Sequence, residues 1–482
     1  MDKILNNTTM DLKKSGRSLA LIIMVFFFWG FVAASNTVLI GLFRESFELS
    51  QFQSQLVDWA FYIAYFAGSL VYFLITVLGY DLLNKIGYKR GLIVGLCISA
   101  LGALGFIPAA DYQSFALMLT SLFVVGIGFS LQQIVANPYV IALGTPETGS
   151  HRVSLAGGIN SLGTTIGPLL VSYAIFGNIT GENTASMGVE GVKLPYFILC
   201  AAFVLVALIL GFSKLPAITN QERIERGAGA LQFPQLRWGM LAIFIYVGVE
   251  VSIQSNMPEL MKAESILGLP TKSTVHFISL YWGSLMIGRW GGAITAFNLS
   301  KETSRVLMVL VPILAYLVVV GVNYIKFYAA ETPEKTVELL YYFPFILLLI
   351  AGTLLGKEKP AKTLLLFSLL ALLMMIVGLF TSGYVALYFF ISGGLFCSIM
   401  WPCIFSLSLA GLGKYTNQGS AFLIMMILGG GVVPLIQGAL ADFSSIHLSY
   451  WIPVVCFAIL LFYSVRVKSI LRQQGIDYDR EA

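Results

Sequence analysis

Long apolar blocks alternate with short polar ones along the whole chain. Each block approaches the ~20 residues that a helix needs to cross a ~30 Å hydrocarbon core. The pattern predicts spans near 18–43, 52–80, 91–110, 114–143, 153–176 and 194–213. It then predicts spans near 238–260, 274–297, 306–324, 338–356, 363–381, 383–410, 419–441 and 449–466. A polar stretch, Lys214 to Arg237, holds Glu222, Arg223, Glu225 and Arg226 and separates the first six from the last eight. The expected organisation is an all-α membrane protein of fourteen spans: a six-helix bundle over 1–213, a linker over 214–237 and a second bundle over 238–482. The first sixteen residues are polar, and the apolar run after them is too long for a secretory signal, so it is read as a retained first span.

Composition agrees with this picture. Hydrophobic residues make up 57% and charged residues 11%, less than half the roughly 25% charge of a soluble domain. Nucleic-acid binding is excluded as a main role. With an even number of spans both termini share one side, and the Lys and Arg residues then divide 23 to 6 between the two faces. Positive charge favours the cytoplasmic face, so both termini are expected there. The net charge of +5 therefore reports topology. Cys97, Cys200, Cys397, Cys403 and Cys456 lie in apolar runs without metal-ligand spacing and are expected to be buried, inert thiols. His151, His276 and His447 fall at span ends and are expected to be solvated.

Short motifs recur between the halves. Gly30 of span 1 corresponds to Gly248 of span 7, and Gly68-Ser69-Leu70 of span 2 to Gly283-Ser284-Leu285 of span 8. Later, Pro138 corresponds to Pro402 and Pro168 to Pro434, at an offset larger by about two spans. The excess places an inserted helix pair at about 303–352. Prolines at matched positions suit helices that bend, since each lacks a backbone donor. A parallel repeat of six-span halves resembles the plan of the major facilitator superfamily. The turn Asn84-Lys85-Ile86-Gly87-Tyr88-Lys89-Arg90 between spans 2 and 3 is similar to that superfamily's basic loop motif, although Tyr80 stands where its leading glycine is expected.

A narrower resemblance follows. Phe27-Phe28-Trp29 with Asn36, Ala60-Phe61-Tyr62, Ala136-Asn137-Pro138-Tyr139-Val140, Asn160-Ser161, Gly288-Arg289, Trp401-Pro402 and Gly429-Gly430-Gly431 resemble the fucose–proton symporter family of sugar permeases. The extra pair resembles its glucose/galactose transporter branch. The resemblance implies import of a hexose or deoxyhexose with a proton, by a monomer, without cofactor or metal. The family's span-1 aspartate, however, falls on Thr37, and its span-4 glutamate on Gln133. Neither replacement titrates, so coupling needs another carboxyl.

An ionisable residue within a span costs roughly 2.5 to 3.5 kcal/mol on insertion scales, so each asks for a reason. Glu250 lies twelve residues into span 7, ~18 Å deep at 1.5 Å per residue. It is a candidate proton-coupling group, or else a hydrogen-bonded packing residue. Asp58, six residues into span 2, is a second coupling candidate or an interfacial residue. Arg289 reads as a gate or packing arginine, able to snorkel inward, rather than a sugar ligand. Asp81, with Asn84, Lys85 and Arg90, reads as a gate or loop anchor. Sugars need groups that both donate and accept, plus an aromatic plate. Asn36, Gln133, Asn137, Asn160, Gln254 and Asn256 supply amides, which equally join helices. Trp29, Trp59, Trp282 and Trp401 are plate candidates, whereas Trp238 and Trp451 read as interface anchors. The three consecutive glycines read as close helix packing.

The leading expectation is a secondary sugar transporter, most simply a proton symporter. A sodium-coupled carrier or uniporter is the alternative within transport. A membrane-embedded transferase would need a concentrated catalytic set, and a sugar sensor a long soluble domain. Neither feature is found in the sequence.

Overall fold

The computed structural model describes residues 12–49, 51–176, 188–216, 225–269, 275–297, 299–329, 332–356 and 359–476. Glu222 and Arg223 of the expected linker lie outside these residues, as do the side chains of Thr37 and Pro168. The first six long helices are α1 (Leu12–Ser46), α2 (Gln51–Val77), α3 (Tyr88–Asp111), α4 (Phe115–Ala142), α5 (Gly149–Phe176) and α6 (Lys193–Phe212). Then follow α7 (Pro234–Lys262), α8 (Val275–Gly292), α9 (Lys301–Ala329), α10 (Phe343–Gly356) and α11 (Pro360–Leu379). The chain ends with α12 (Gly383–Cys397), α13 (Met400–Leu409), α14 (Thr416–Met425), α15 (Gly429–Phe443) and α16 (Trp451–Gln473). Among the described residues, twelve helical segments are long and apolar enough to cross a membrane. The helices α5 and α8 are outside that set and carry polar residues such as Arg152, Asn160, Ser279 and Arg289. Large apolar side chains on outward faces, among them Leu205, Leu208, Leu317 and Leu355, are exposed, as a lipid-facing surface requires.

Prolines act differently in the two halves. Pro138 sits within a continuous α4. Its counterpart Pro402 follows an actual break, and falls in the first turn of α13, where a missing N–H costs little. A second break, a 3₁₀ turn over Met426–Leu428, separates α14 from α15.

Helix contacts reproduce the repeat. In the first half α1 packs on α5, α2 on α4, and α3 on both α4 and α6. In the second, α7 packs on α15, α8 on α12, and α11 on both α12 and α16. The matched glycines lie on equivalent seams. A Cβ on Gly30 would collide with the Asn160 carbonyl of α5, and one on Gly248 with Val433 of α15. Outside this correspondence stand α9 and α10, which pack on α8 and α11. Two of the three consecutive glycines are close-packing positions: a Cβ on Gly429 would strike the Phe244 carbonyl and one on Gly430 the Tyr62 ring of α2, whereas one on Gly431 would meet nothing nearer than 3.9 Å.

Candidate functional site: a polar cavity between the helix groups

The two groups of helices are tied together at the end that carries most of the Lys and Arg residues. Asp81 caps a short helix, Leu82–Ile86, by accepting from the Leu83 and Asn84 amides at 3.0 and 3.1 Å. Its other carboxylate oxygen accepts from Asn417 Nδ2 of α14 at 2.9 Å. Tyr88 donates to Asn417 Oδ1 at 2.5 Å, and Gln418 donates to Thr76 Oγ1 at 3.1 Å. A second seam joins α5 to α8: Trp290 Nε1 donates to the Gly158 carbonyl at 3.2 Å, and Arg289 to Ser161 Oγ at 2.9 Å. Asn84 approaches Asn417 at 3.5 Å. Lys85 instead bonds Tyr80 within its own loop, and Arg90 is exposed, so neither joins this contact. The basic loop residue that does make structural bonds is Lys89, which donates to the Gly211 and Ser213 carbonyls at the end of α6.

Beyond these seams the helix groups part around a cavity of about 440 Å³. Of the residues singled out in the sequence, Trp29, Asp58, Gln133, Asn137, Asn160, Glu250, Gln254, Trp282, Arg289, Trp401 and Pro402 line it. Asn36, Trp59 and Asn256 do not. Asn36 is buried behind the wall and hydrogen-bonds Asp58, and Asn256 turns back to the Ser252 carbonyl of its own helix. Pro138 is buried in α4, one residue beyond Asn137.

The polar groups are held by identifiable neighbours. Gln133 Nε2 donates to the Tyr65 hydroxyl at 3.0 Å, and Asn160 Nδ2 to the Phe26 carbonyl at 3.0 Å. Trp29 is oriented by the adjacent Gln132, whose Oε1 accepts its indole N–H at 3.0 Å while Nε2 donates to Ser99. Asn137 donates to the Gln133 carbonyl, but its Oδ1, like Oδ1 of Asn36, is buried without a hydrogen-bond partner. Gln254 makes no hydrogen bond among the described residues. An unpaired buried acceptor costs about 1–3 kcal/mol; Asn137 carries that cost on a residue that lines the cavity, and Asn36 carries it behind the wall.

At the base of the cavity Arg289 lies 3.4 Å from Glu250 Oε1, with side-chain exposures of 11% and 12%. The same guanidinium approaches the Tyr246 hydroxyl and the Ser398 carbonyl, each at 3.4 Å. Arg289 thus lines the cavity and is paired with Glu250. The lobe-spanning contact to Ser161 places this ion pair on the seam itself.

Several surface expectations need correction. His276 is 6% exposed and bonds Glu338 at 2.8 Å, because residues 333–340 before α10 cover the start of α8. His151 and His447 bond the Gly292 and Gly378 carbonyls. Cys97 is exposed on α3 and Cys200 half-buried, since both apolar faces turn outward; Cys397, Cys403 and Cys456 are buried. Arg152, not singled out in the sequence, caps the end of α4 through the Val140, Ile141 and Thr145 carbonyls. Cations suit that helix terminus.

Comparison with known proteins agrees with the geometry. The family model of the Major Facilitator Superfamily matches residues 15–332. The chain is 33% identical to a glucose/galactose transporter of Brucella abortus, over 96% of both chains. It is 27% identical to the L-fucose–proton symporter of Escherichia coli, over 92% of both. A solved structure of that fucose–proton symporter superposes with a TM-score of 0.70 at 26% identity, covering 93% of this chain and 98% of the other. A two-fold repeat of helix contacts, a polar cavity on its seam and full-length similarity to named transporters thus converge: this multi-pass membrane protein belongs to the Major Facilitator Superfamily, a family of transporters rather than enzymes.

Proposed function

We propose that the protein imports a monosaccharide, a hexose or deoxyhexose, together with a proton, by alternating access across a bacterial inner membrane. The observation that carries this reading is the Glu250–Arg289 pair in a cavity that the amides of Gln133, Asn137, Asn160 and Gln254 also line. In the proposed topology α5 and α8 also span, giving fourteen spans with both termini cytoplasmic. Residues 1–213 and 238–482 are the two moving halves, 214–237 joins them, and the protein works as a monomer. The Asp81–Asn417 contact is then the cytoplasmic latch, and the cavity faces outward.

Sugar hydroxyls exchange bonds with the amides of Gln133, Asn137, Asn160 and Gln254, while Trp29, Trp282 or Trp401 covers the apolar ring face. A proton arriving at Glu250 neutralises the carboxylate and weakens its hold on Arg289. Released from Glu250, the guanidinium is left to Ser161 of the first half and to Tyr246 and Ser398 of the second, so its hold across the seam changes with proton binding. Asp58, oriented by Asn36, is the second coupling carboxyl, nearer the outer end. Relatives named as sugar–proton symporters support this reading.

Sodium coupling is the second reading, favoured by the non-titrating Thr37 and Gln133. A binding screen of monosaccharides, followed by proteoliposome uptake of the best binder under an imposed pH or sodium gradient, decides between them. Uptake that follows neither gradient overturns coupling, and absence of any sugar binding overturns the substrate class.

A further inference from the structure

The inserted helix α9 is more than an external addition. In the first half, Gly68-Ser69 docks α2 on α4: a Cβ on Gly68 would meet Ser130, and Ser69 bonds Ser130 at 2.9 Å. The matched Gly283-Ser284 of α8 docks elsewhere. A Cβ on Gly283 would lie 2.7 Å from the Val319 methyls of α9, and Ser284 bonds the Tyr342 hydroxyl before α10 at 3.1 Å. The inserted pair therefore occupies the face of α8 that its counterpart in α2 turns to its own bundle. Glycine at 283 permits the close approach, and one turn further out Asn323 Nδ2 donates to Ser279 Oγ at 3.1 Å.

Consequently α9 contributes Val319, Val322 and Asn323 to the cavity wall. Asn323 spends its amide hydrogens on Ser279 and on the Val319 carbonyl. That leaves its Oδ1 as an acceptor, and it leaves the Ser279 hydroxyl, already an acceptor from Asn323, free to donate. Trp282, three residues from Ser279 on the same helix face, adds an aromatic surface beside them. Ser279 is ten residues from Arg289 along α8, ~15 Å at 1.5 Å per residue. That backbone separation exceeds one pyranose ring, although Tyr281, two residues from Ser279, reaches the Glu250 carbonyl at 2.6 Å, so the outer groups and the ion pair lie towards the two ends of one continuous cavity.

We propose that the inserted helix builds an outer sugar subsite, Trp282, Ser279, Asn323 and Val322, which captures the incoming sugar before it descends to the ion pair. This rests on the transport reading above and adds a second resting place to it. A capture site governs half-saturation more than maximal rate. Ser279→Ala and Asn323→Ala each remove one hydrogen bond to the sugar or its support and are expected to raise the half-saturation for uptake about 3- to 10-fold, with maximal rate nearly unchanged.

An independent test uses thiol labelling in a Cys97→Ser background. Val322→Cys is expected to react with a water-soluble maleimide added from outside, and saturating sugar to slow that reaction several-fold. Leu317→Cys, on the lipid side of the same helix, should show no such protection. Equal labelling of Val322→Cys with and without sugar, in a protein whose parent binds and transports that sugar normally, overturns the subsite. So does an unchanged half-saturation in both alanine variants. Failure of the parent itself to bind any sugar points instead to failure of the transport reading.

Discussion

Arg289 and Glu250 meet at 3.4 Å on two adjacent helices of the second half, while the same guanidinium reaches Ser161 of the first half at 2.9 Å. A proton on Glu250 would therefore alter a contact that crosses between the halves. Glu250→Gln keeps the shape and hydrogen-bonding capacity of the side chain but cannot exchange a proton. Proteoliposomes carrying it are expected to equilibrate labelled sugar by counterflow at near parental rates, and to lose accumulation under an imposed pH gradient. Normal accumulation would remove Glu250 from coupling.

Asp58 lines the same cavity from α2, and the Tyr62 ring stands within electrostatic reach of both carboxyls. Asp58→Asn is expected to leave sugar binding within about threefold of the parent, since Asn36 retains a hydrogen-bond partner. Accumulation should fall, and the fall should be additive with a partial defect at Glu250 only if the two groups act independently. Unimpaired accumulation by Asp58→Asn would make it an interfacial residue.

Truncating one partner of a buried ion pair leaves the other charge uncompensated, at a cost of about 3–5 kcal/mol when water is fully excluded. This pair borders a cavity, so a smaller loss is expected. Arg289→Gln should lower the unfolding temperature in detergent, and the double variant Glu250→Gln/Arg289→Gln should recover part of the loss. A double variant no more stable than Arg289→Gln would mean that the pair contributes nothing beyond its members' other contacts.

Much of the architecture is readable from the primary structure because hydropathy alone places apolar helices, and matched glycines mark where helices approach closely. Gly30 and Gly248 do lie on equivalent seams. Position along a helix is also readable: Glu250 falls near the middle of α7. Rotation about the helix axis is not. That is why Gln132, beside the expected Gln133, orients Trp29, and why Asn256 faces its own backbone while Gln254 faces the cavity. Pairing across 39 residues, as in Glu250 and Arg289, depends on how two helices are turned against each other, which hydrophobic periodicity leaves open when both are apolar on most faces. His276 looked solvated for a related reason, since its cover comes from the insertion.

The Asp81–Asn417 bond at 2.9 Å and the Tyr88–Asn417 bond at 2.5 Å concentrate two contacts between the halves on one side chain. Asn417→Ala removes both and leaves a carboxylate oxygen unpaired, at about 1–3 kcal/mol. The closed end should open more often. A cysteine at Val153, on the cavity wall above α5's start, is expected to react several-fold faster with a polar maleimide supplied from the Lys/Arg-rich side in the Asn417→Ala background. Equal rates in both backgrounds would show that other contacts hold this end closed.

The two matched glycines meet different obstacles, which gives a test of the repeat at the level of packing. At Gly30 the obstacle is backbone, the Asn160 carbonyl; at Gly248 it is chiefly the Val433 side chain. Overpacking typically costs about 1–3 kcal/mol, and a side chain can be trimmed where a carbonyl cannot. Gly30→Ala and Gly248→Ala should both lower the unfolding temperature. Adding Val433→Ala removes the nearest methyl but leaves the Val433 Cβ 2.8 Å away, so it should restore part of the loss at Gly248, whereas Thr164→Ala, which trims the other neighbour of Gly30, should restore little. Comparable rescue at both positions would mean that α1 and α5 can slide apart to admit a methyl group, and that the seam is less tightly closed than the Gly30–Asn160 approach requires.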